Sequence, residues 1–521
     1  MDATVPDEGV AVEVLPSAES AESSGEGTGE PECGPEGQPA GGLVEFVSNR
    51  ISEMQPVSPD ILRATSAGRA LRFLARALSQ PKGRHHLSFQ TQHISCFWSH
   101  TWHGSAWKKR LTLLHIYLAP MAAVGSICAA ALTTLLFSFK VLLPGFRREE
   151  AFRWPKSFWG SAAGAVTYLL VLLIAQPQTS VFLDAISIDQ DNPERKVKGL
   201  FSMGAFLRHS ESILVLWDPS WSHRLWCVFE LAAYLRSCEE LGKKPKIVIR
   251  PTGLGPCAFL QTLALVLVFS ALGLVPDRVR IFLWTMQASL CFVGFYVTSA
   301  TYRHTFRSLD ELRHELQGFR LQDSRCHCCT KGHSSPDEMC DRKILERCVS
   351  IWFGSVEAFE EKVRSDVLPC VSSQLDTQLF TYRNCVLTVV PVIWSYMDTA
   401  SAEMHFNDTW QNLVSELVRG LAWWLGVVPS AYLIGLRCAY CLRKKRCWLC
   451  EEAMNSAVVL SIVATVVCAV QLESFCLGQP FSLNDGMIAE LSLFCSLVVP
   501  AALLLFGCVG THPHYSMSKN E

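Results

Sequence analysis

Residues 181–234 read VFLDAISIDQDNPERKVKGLFSMGAFLRHSESILVLWDPSWSHRLWCVFELAAY, and this stretch decides the fold. Two apolar runs inside it, 181–183 (VFL) and 213–216 (ILVL), are too short for helices and do not alternate polar with apolar residues. That is the pattern of strands covered on both faces. Helical stretches at 195–209 and 225–235 follow them. Upstream, 94–98 (ISCFW) is a third such run, with a helical stretch at 106–114 behind it, and 247–249 (IVI) is a fourth. Strand alternating with helix predicts an α/β domain over 93–110 and 177–250 with a doubly wound parallel sheet.

The surroundings of this domain are not those of a soluble protein. Of 521 residues, 49% are hydrophobic and 18% charged, with a mean hydropathy of +0.21; soluble domains carry about 25% charged residues. Uncharged runs at 111–139, 157–183, 251–276, 281–302, 453–472 and 491–510 reach the roughly 20 residues that cross a bilayer as helix. Shorter runs at 384–397 and 420–436 bring the expectation to eight spans, a polytopic helical membrane region. The first two (111–139, 157–176) interrupt the α/β domain between its first and second strands, 253–302 forms a second hairpin, and 384–510 a C-terminal group. An even insertion returns the chain to the side it left, so one sheet can still form. Arg437, Arg443, Lys444, Lys445 and Arg446 crowd a short loop and orient it to the cytosol, with both termini, 184–250 and 303–383. Lys140 to Lys156, five basic residues against two acidic, opposes this orientation. Asn407-Asp408-Thr409 then falls outside, as a glycan acceptor pattern. The expected partner is therefore the lipid bilayer.

Charge is unevenly distributed. Residues 1–42 hold ten acidic residues and no Lys or Arg, leaving 46 basic against 38 acidic residues beyond them. This tail, rich in Gly, Glu, Pro and Ser, is expected to be disordered, and 511–521 reads as a short second tail. A uniformly basic nucleic-acid binder is excluded, and no nucleic-acid partner is expected. The segment 58–80 reads as a basic amphipathic helix, with Leu62, Leu71, Leu74 and Leu78 on a stripe among four arginines. In 303–383 a cytosolic helical module is expected, with a helix over 308–321 opened by a Ser308/Glu311 capping box and another over 355–367. The uncharged runs carry almost no ionisable residue, which disfavours a transport-related role.

In open α/β sheets ligands bind beyond the carboxyl ends of the strands. Here those ends offer Ser99, His100, Thr101 and Trp102; Asp184; and Trp217, Asp218 and Ser220. On the helix that follows, Trp226, Glu230 and Tyr234 recur every four residues and share a face. Glu230 thus projects near a cleft lined by indoles and polar groups. Ser99, His100, Trp102, Asp184, Trp217, Asp218 and Trp226 are the candidate ligand-binding residues.

At this point the chain resembles a known family. Phe182-Leu183-Asp184 and the loop after it, the Ser-Ile-Leu-Val-Leu strand, Trp226-Cys227-x-x-Glu230-Leu231 and the opening Phe97-Trp98-Ser99-His100 resemble the core of a Toll/interleukin-1 receptor (TIR) domain. The likeness covers about a quarter of the chain, roughly 93–105 and 180–250. The whole chain also resembles a group of multi-span proteins that pair such a core with a Cys-rich segment and the phrase Trp352-Phe353-Gly354-Ser355. The resemblance implies a flavodoxin-like parallel sheet and one of two activities. Many TIR domains are signalling and assembly modules that self-associate through the loop after the second strand, here about 184–199. Others hydrolyse NAD at the nicotinamide–ribose bond with the Glu of the Trp-Cys-x-x-Glu helix, which Glu230 matches.

The chain has 22 cysteines. No apolar leader follows Met1, so a cytosolic start with reduced thiols is expected. Cys326, Cys329, His333 and Cys340 form a set with the soft, tetrahedral chemistry of zinc. Cys438-x-x-Cys441 and Cys447-x-x-Cys450 flank the basic loop, where attraction to anionic lipid or lipidation reads better than metal binding.

Overall fold

The computed structural model describes residues 40–75, 82–102, 104–141, 157–274, 280–326, 329, 340–377, 381–407, 409–476 and 488–510. The chain is mostly helical, with one small mixed sheet. It divides into two compact units, each assembled from separated stretches. The first comprises Met1–Ala106, Gln178–Ile249 and Leu312–Cys370, the second Trp107–Pro177, Arg250–Glu311 and Val371–Glu521.

The first unit contains the sheet. Its strands are β1 (Arg63–Ser66), β2 (Phe89–Gln90), β3 (Cys96–Ser99), β4 (Ser180–Phe182), β5 (Ile213–Trp217) and β6 (Ile247–Pro251), in the order β2-β1-β4-β3-β5-β6. The four expected strands do lie together. β3 is central and parallel to both neighbours, with Phe97 opposite Phe182 on one side and Ile213 on the other. Every residue of β3 and β5 is buried, as their uninterrupted apolarity required. Phe97 stacks on Phe182 with ring centroids 4.4 Å apart, and Phe206 covers Phe182 at 4.5 Å.

The sheet is not wholly parallel, however. β1 runs antiparallel to β4, and β2 antiparallel to β1. The single helix expected over 58–80 is therefore corrected: Arg63–Ser66 is a strand, and only Ala67–Ala75 is helical, with 76–80 outside the described residues. Thr65 and Ser66 pair with Val181 and Ser180, and that long-range ladder prevails over the leucine spacing. Of the expected acidic tail, 1–39 lies outside the described residues, while 40–42 opens the helix Ala40–Ser52. The tail 511–521 and most of the loop 140–156 also lie outside them.

The module expected over 303–383 is not a separate body. Its 312–370 part belongs to the sheet-bearing unit. Helix Asp341–Phe353 packs on Ala40–Ser52: Ser48 Oγ donates to Ile344 O at 3.2 Å and Trp352 Nε1 to Ser52 O at 3.0 Å. It also lies on Leu225–Glu240 through Trp352, which stacks on Phe229 at 5.3 Å. Gly354, at φ +85°, ends that helix where a side chain would be strained, and Ser355 caps the next one by accepting from Ala358 N at 3.1 Å. The expected boundary near 303 is absent: 281–302 and the amphipathic stretch after it form one helix, Arg280–Gln317, because no Gly or Pro falls between 295 and 317. Ser308 is thus an interior residue rather than a cap.

In the second unit three helices among the described residues are long and apolar enough to cross a membrane: Ala106–Ser138, Trp410–Cys441 and Trp448–Cys476. The pair Tyr382–Thr388 and Pro391–Asn407, bent by 53°, would make a fourth. Helices Trp159–Ile174, Leu254–Phe269 and Leu491–Gly507 are apolar but shorter. The run 157–183 ends as helix at Ile174 and supplies β4 beyond it. In the most apolar window of Trp448–Cys476, with mean hydropathy 2.2, only 17% of residues are buried. Such a surface is costly in water and suits lipid. The interior is tightly fitted. A Cβ on Gly164 would come within 2.6 Å of the Trp394 ring, so glycine permits the approach. Asp398 caps Trp159–Ile174 by accepting from Gly160 N at 2.7 Å and Ser161 N at 2.9 Å.

The uncharged runs concealed buried ionic groups, because a run by definition stops at the first charge. Arg419 is bonded to Glu473 at 2.6 Å, and Arg303, fully buried, reaches Glu451 at 3.1 Å and Asn455 Oδ1 at 2.7 Å. Each of these charges lies just beyond the end of a run: Arg419 before 420–436, Arg303 after 281–302, and Glu451 and Glu473 on either side of 453–472.

Candidate functional site

The connection from β3 runs to β4 on one side and the next, from β4, crosses back past β3 to β5 on the other, so the winding reverses at β3. The carboxyl ends of β3 and β5 therefore bound the crevice in which open α/β sheets bind ligands. Ser99 ends β3, and Trp217 ends β5. Glu230 enters this crevice from Leu225–Glu240. Ser99 Oγ donates to Glu230 Oε2 at 2.5 Å, and Trp221 Nε1 donates to Ser99 Oγ at 3.0 Å. His223, just ahead of that helix, faces Glu315 at 3.4 Å instead.

Beside this chain lies a second one. Thr101 Oγ1 donates to Asp218 Oδ2 at 2.8 Å, and Ser220 Oγ donates to Asp218 Oδ1 at 2.5 Å. Asp218 also accepts from Ser220 N at 2.9 Å, while Trp221 N bonds Asp218 O at 2.9 Å. This Asx turn fixes the Asp-Pro-Ser-Trp segment and brings the Trp221 indole over Ser99. At the end of β4, Asp184 accepts from Trp102 Nε1 at 3.0 Å and Ala185 N at 2.7 Å, and His100 Nε2 lies 3.3 Å from its Oδ1. His100 and Trp102 meet edge to face, 5.1 Å apart.

The two carboxylates differ in proton affinity. Burial pushes Glu230 up to about 8, the Asp184 charge adds to this, and the Ser99 hydroxyl opposes it. Burial also acts to raise Asp184, but the His100 contact and the bonds from Ala185 and Trp102 outweigh it and leave Asp184 below its ordinary value. Asp184 keeps 28% of its side-chain surface, and Glu230 is half-buried. A proton-holding carboxyl next to an ionised one, both reachable by solvent, is an arrangement suited to acid–base work or to gripping a cationic or polyhydroxyl ligand.

Ser99, His100, Trp102, Asp184, Asp218 and Glu230 thus fall in three adjoining networks. Trp217 is buried at the end of β5, and its Nε1 has no hydrogen-bond partner among the described residues. Trp226 turns elsewhere: its Nε1 donates to Asp341 Oδ2 at 3.2 Å and its ring meets Phe229 edge to face. Sharing a helical face with Glu230 did not decide its direction, because Asp341–Phe353 packs on that side. Trp221 was missed as a site residue; its signal was the Asp218–Trp221 turn. The loop 184–199 is only partly a surface. Ala185, Ile186, Ser187 and Ile188 are buried, and continuous exposure begins at 191–194, before the helix Pro193–Phe201 capped by Asn192.

Of the expected zinc ligands, Cys326, Cys329 and Cys340 have their sulfurs within 4.8 Å of one another, and His333 lies outside the described residues. No protein family, curated protein or solved structure matches the chain.

Proposed function

We propose that the first unit binds NAD at the ends of β3 and β5 and hydrolyses its nicotinamide–ribose bond, and that the second unit holds it at the cytosolic side of a membrane as a multi-span anchor. The observation that carries this reading is the Ser99–Glu230 contact at the strand crevice, with Glu230 raised to about 8. In the step itself the bond between the ribose C1′ and the pyridinium nitrogen breaks. Nicotinamide leaves with the electron pair and becomes neutral. Water adds its oxygen to C1′ and releases one proton, giving ADP-ribose. Glu230, ionised once the cationic substrate sits beside it, would hold the ribose hydroxyls and stabilise the oxocarbenium charge that develops at C1′. Trp102 offers a ring for stacking, and Asp218 with Ser220 offers polar contacts.

The test uses full-length protein in detergent or clustered on lipid vesicles, incubated with NAD and followed by chromatography. Nicotinamide and ADP-ribose are expected in equal amounts, with a loss of about 100-fold or more in Glu230→Gln and Glu230→Ala. Wild-type protein that releases no nicotinamide, even when clustered, removes the enzyme reading.

A second reading, a TIR-like signalling and assembly module, draws on the exposed residues 191–194 ahead of Pro193–Phe201. Under it, self-association is lost when Glu194 and Lys198 are both reversed in charge, with NAD untouched. Arg419 is paired with Glu473 and Arg303 with Glu451, and a transport-related role is not proposed.

A further inference from the structure

Cys326 and Cys340 are each only 3% exposed, while Cys329 is exposed. All three sulfurs lie within 4.8 Å of one another, and Cys329 Sγ is 3.5 Å from Cys340 Sγ. That separation is too long for a disulfide, whose sulfurs stand about 2.05 Å apart. It is close to the spacing of about 3.8 Å that two thiolates take on one tetrahedral zinc at about 2.3 Å. Two ligands are held in the interior and the third faces solvent, which provides an entry path for the ion.

The surroundings of the cluster give it a task. Arg325, next to Cys326, forms a parallel bridge with Arg224: Arg325 N donates to His223 O at 2.6 Å and Leu225 N donates to Arg325 O at 3.3 Å. Cys340 is the residue before helix Asp341–Phe353, and Asp341 accepts from Trp226. Both arms of the cluster therefore end on residues 223–226, the entry to the helix that carries Glu230. A lone bridge of two hydrogen bonds is a weak tether, and closing the chain between 326 and 340 costs entropy.

We propose that Cys326, Cys329 and Cys340 bind a zinc ion, and that this ion fastens the Arg325 bridge and helix Asp341–Phe353 to the first turn of Leu225–Glu240. Three thiolates leave one tetrahedral position for a further ligand. The ion is structural: it orders the segment that aims Glu230 and takes no part in any reaction there.

The test begins with full-length protein purified in detergent without chelator, its metal measured by mass spectrometry. About one zinc per chain is expected. The double variant Cys329→Ser/Cys340→Ser should fall at least tenfold in zinc, and Cys370→Ser, outside the cluster, should keep it. Because the double variant could misfold, wild-type protein is also stripped with a strong chelator and refilled with Zn²⁺. Hydrogen exchange at the Leu225 and Arg325 amides should quicken at least tenfold on stripping and slow again on refilling. Four results overturn the proposal: protein that neither holds nor takes up zinc; a folded double variant with full zinc; iron or another metal in its place; or a disulfide among the three cysteines. Zinc whose removal leaves both amides protected overturns the fastening role.

Discussion

Replacing Glu230 with glutamine is expected to stabilise the folded protein, by an amount that grows with pH. The unfolded side chain ionises near 4.5, the folded one near 8, chiefly because burial disfavours the charge. Between these values the unfolded chain has released its proton and the folded protein has kept it. Deprotonation then draws the equilibrium toward unfolding, so stability is intact below pH 4.5 and is lost progressively up to pH 8. Each pH unit in that window is worth about 1.4 kcal/mol, hence about 3 kcal/mol at pH 7 and about 5 kcal/mol above pH 8. Glutamine keeps the shape, accepts the Ser99 hydroxyl through its carbonyl and has no proton to lose. In a unit of this size about 2–4 °C accompanies each kcal/mol. Thermal melts of the full chain in detergent, followed by tryptophan emission, should show Glu230→Gln ahead by about 6–12 °C at pH 7 and level with wild type at pH 4.5. A difference that ignores pH, or a wild type that melts higher at pH 8, refutes the buried-carboxyl argument.

The remaining predictions are these. The kcat/KM of NAD hydrolysis should rise with pH to a plateau above about 8; in Ser99→Ala, which removes the hydroxyl that lowers Glu230, the midpoint should move up by about one pH unit, and an unmoved midpoint counts against the Ser99 contact. Asp398→Ala should cost about 2–4 kcal/mol, since it leaves the Gly160 and Ser161 amides without their acceptors; equal melting temperatures would contradict this. Gly164→Ala should cost about 1–3 kcal/mol through collision with Trp394, and Trp394→Leu in the same chain should recover part of the loss.

The central strands were legible because each is a run too short for a helix and too apolar for a surface. β1 was not, because Leu62, Leu71, Leu74 and Leu78 satisfy a helical stripe locally, and what makes Arg63–Ser66 extended is a partner more than a hundred residues later. The strand-end rule led to Ser99, Asp184 and Asp218, since backbone topology alone fixes where those residues stand. The direction of Trp226 depends on Asp341, and the role of Trp221 on a turn built by Asp218, so neither follows from spacing on one helix. Asp398 and Glu473 were hidden for a different reason: they terminate apolar runs, and only their distant partners reveal that they are buried.

The place of β4 after two apolar helices bears on how the protein is made. Ser95 and Ser180 are bonded across the sheet although 85 residues separate them. At about 5–20 residues per second a ribosome supplies β4 roughly 4–17 s after β3. For that time a largely apolar strand edge waits without its neighbour. Pairing of β3 with β4 therefore has to wait until both intervening apolar helices have been made, and anything that stalls their synthesis leaves that edge of β3 open for longer.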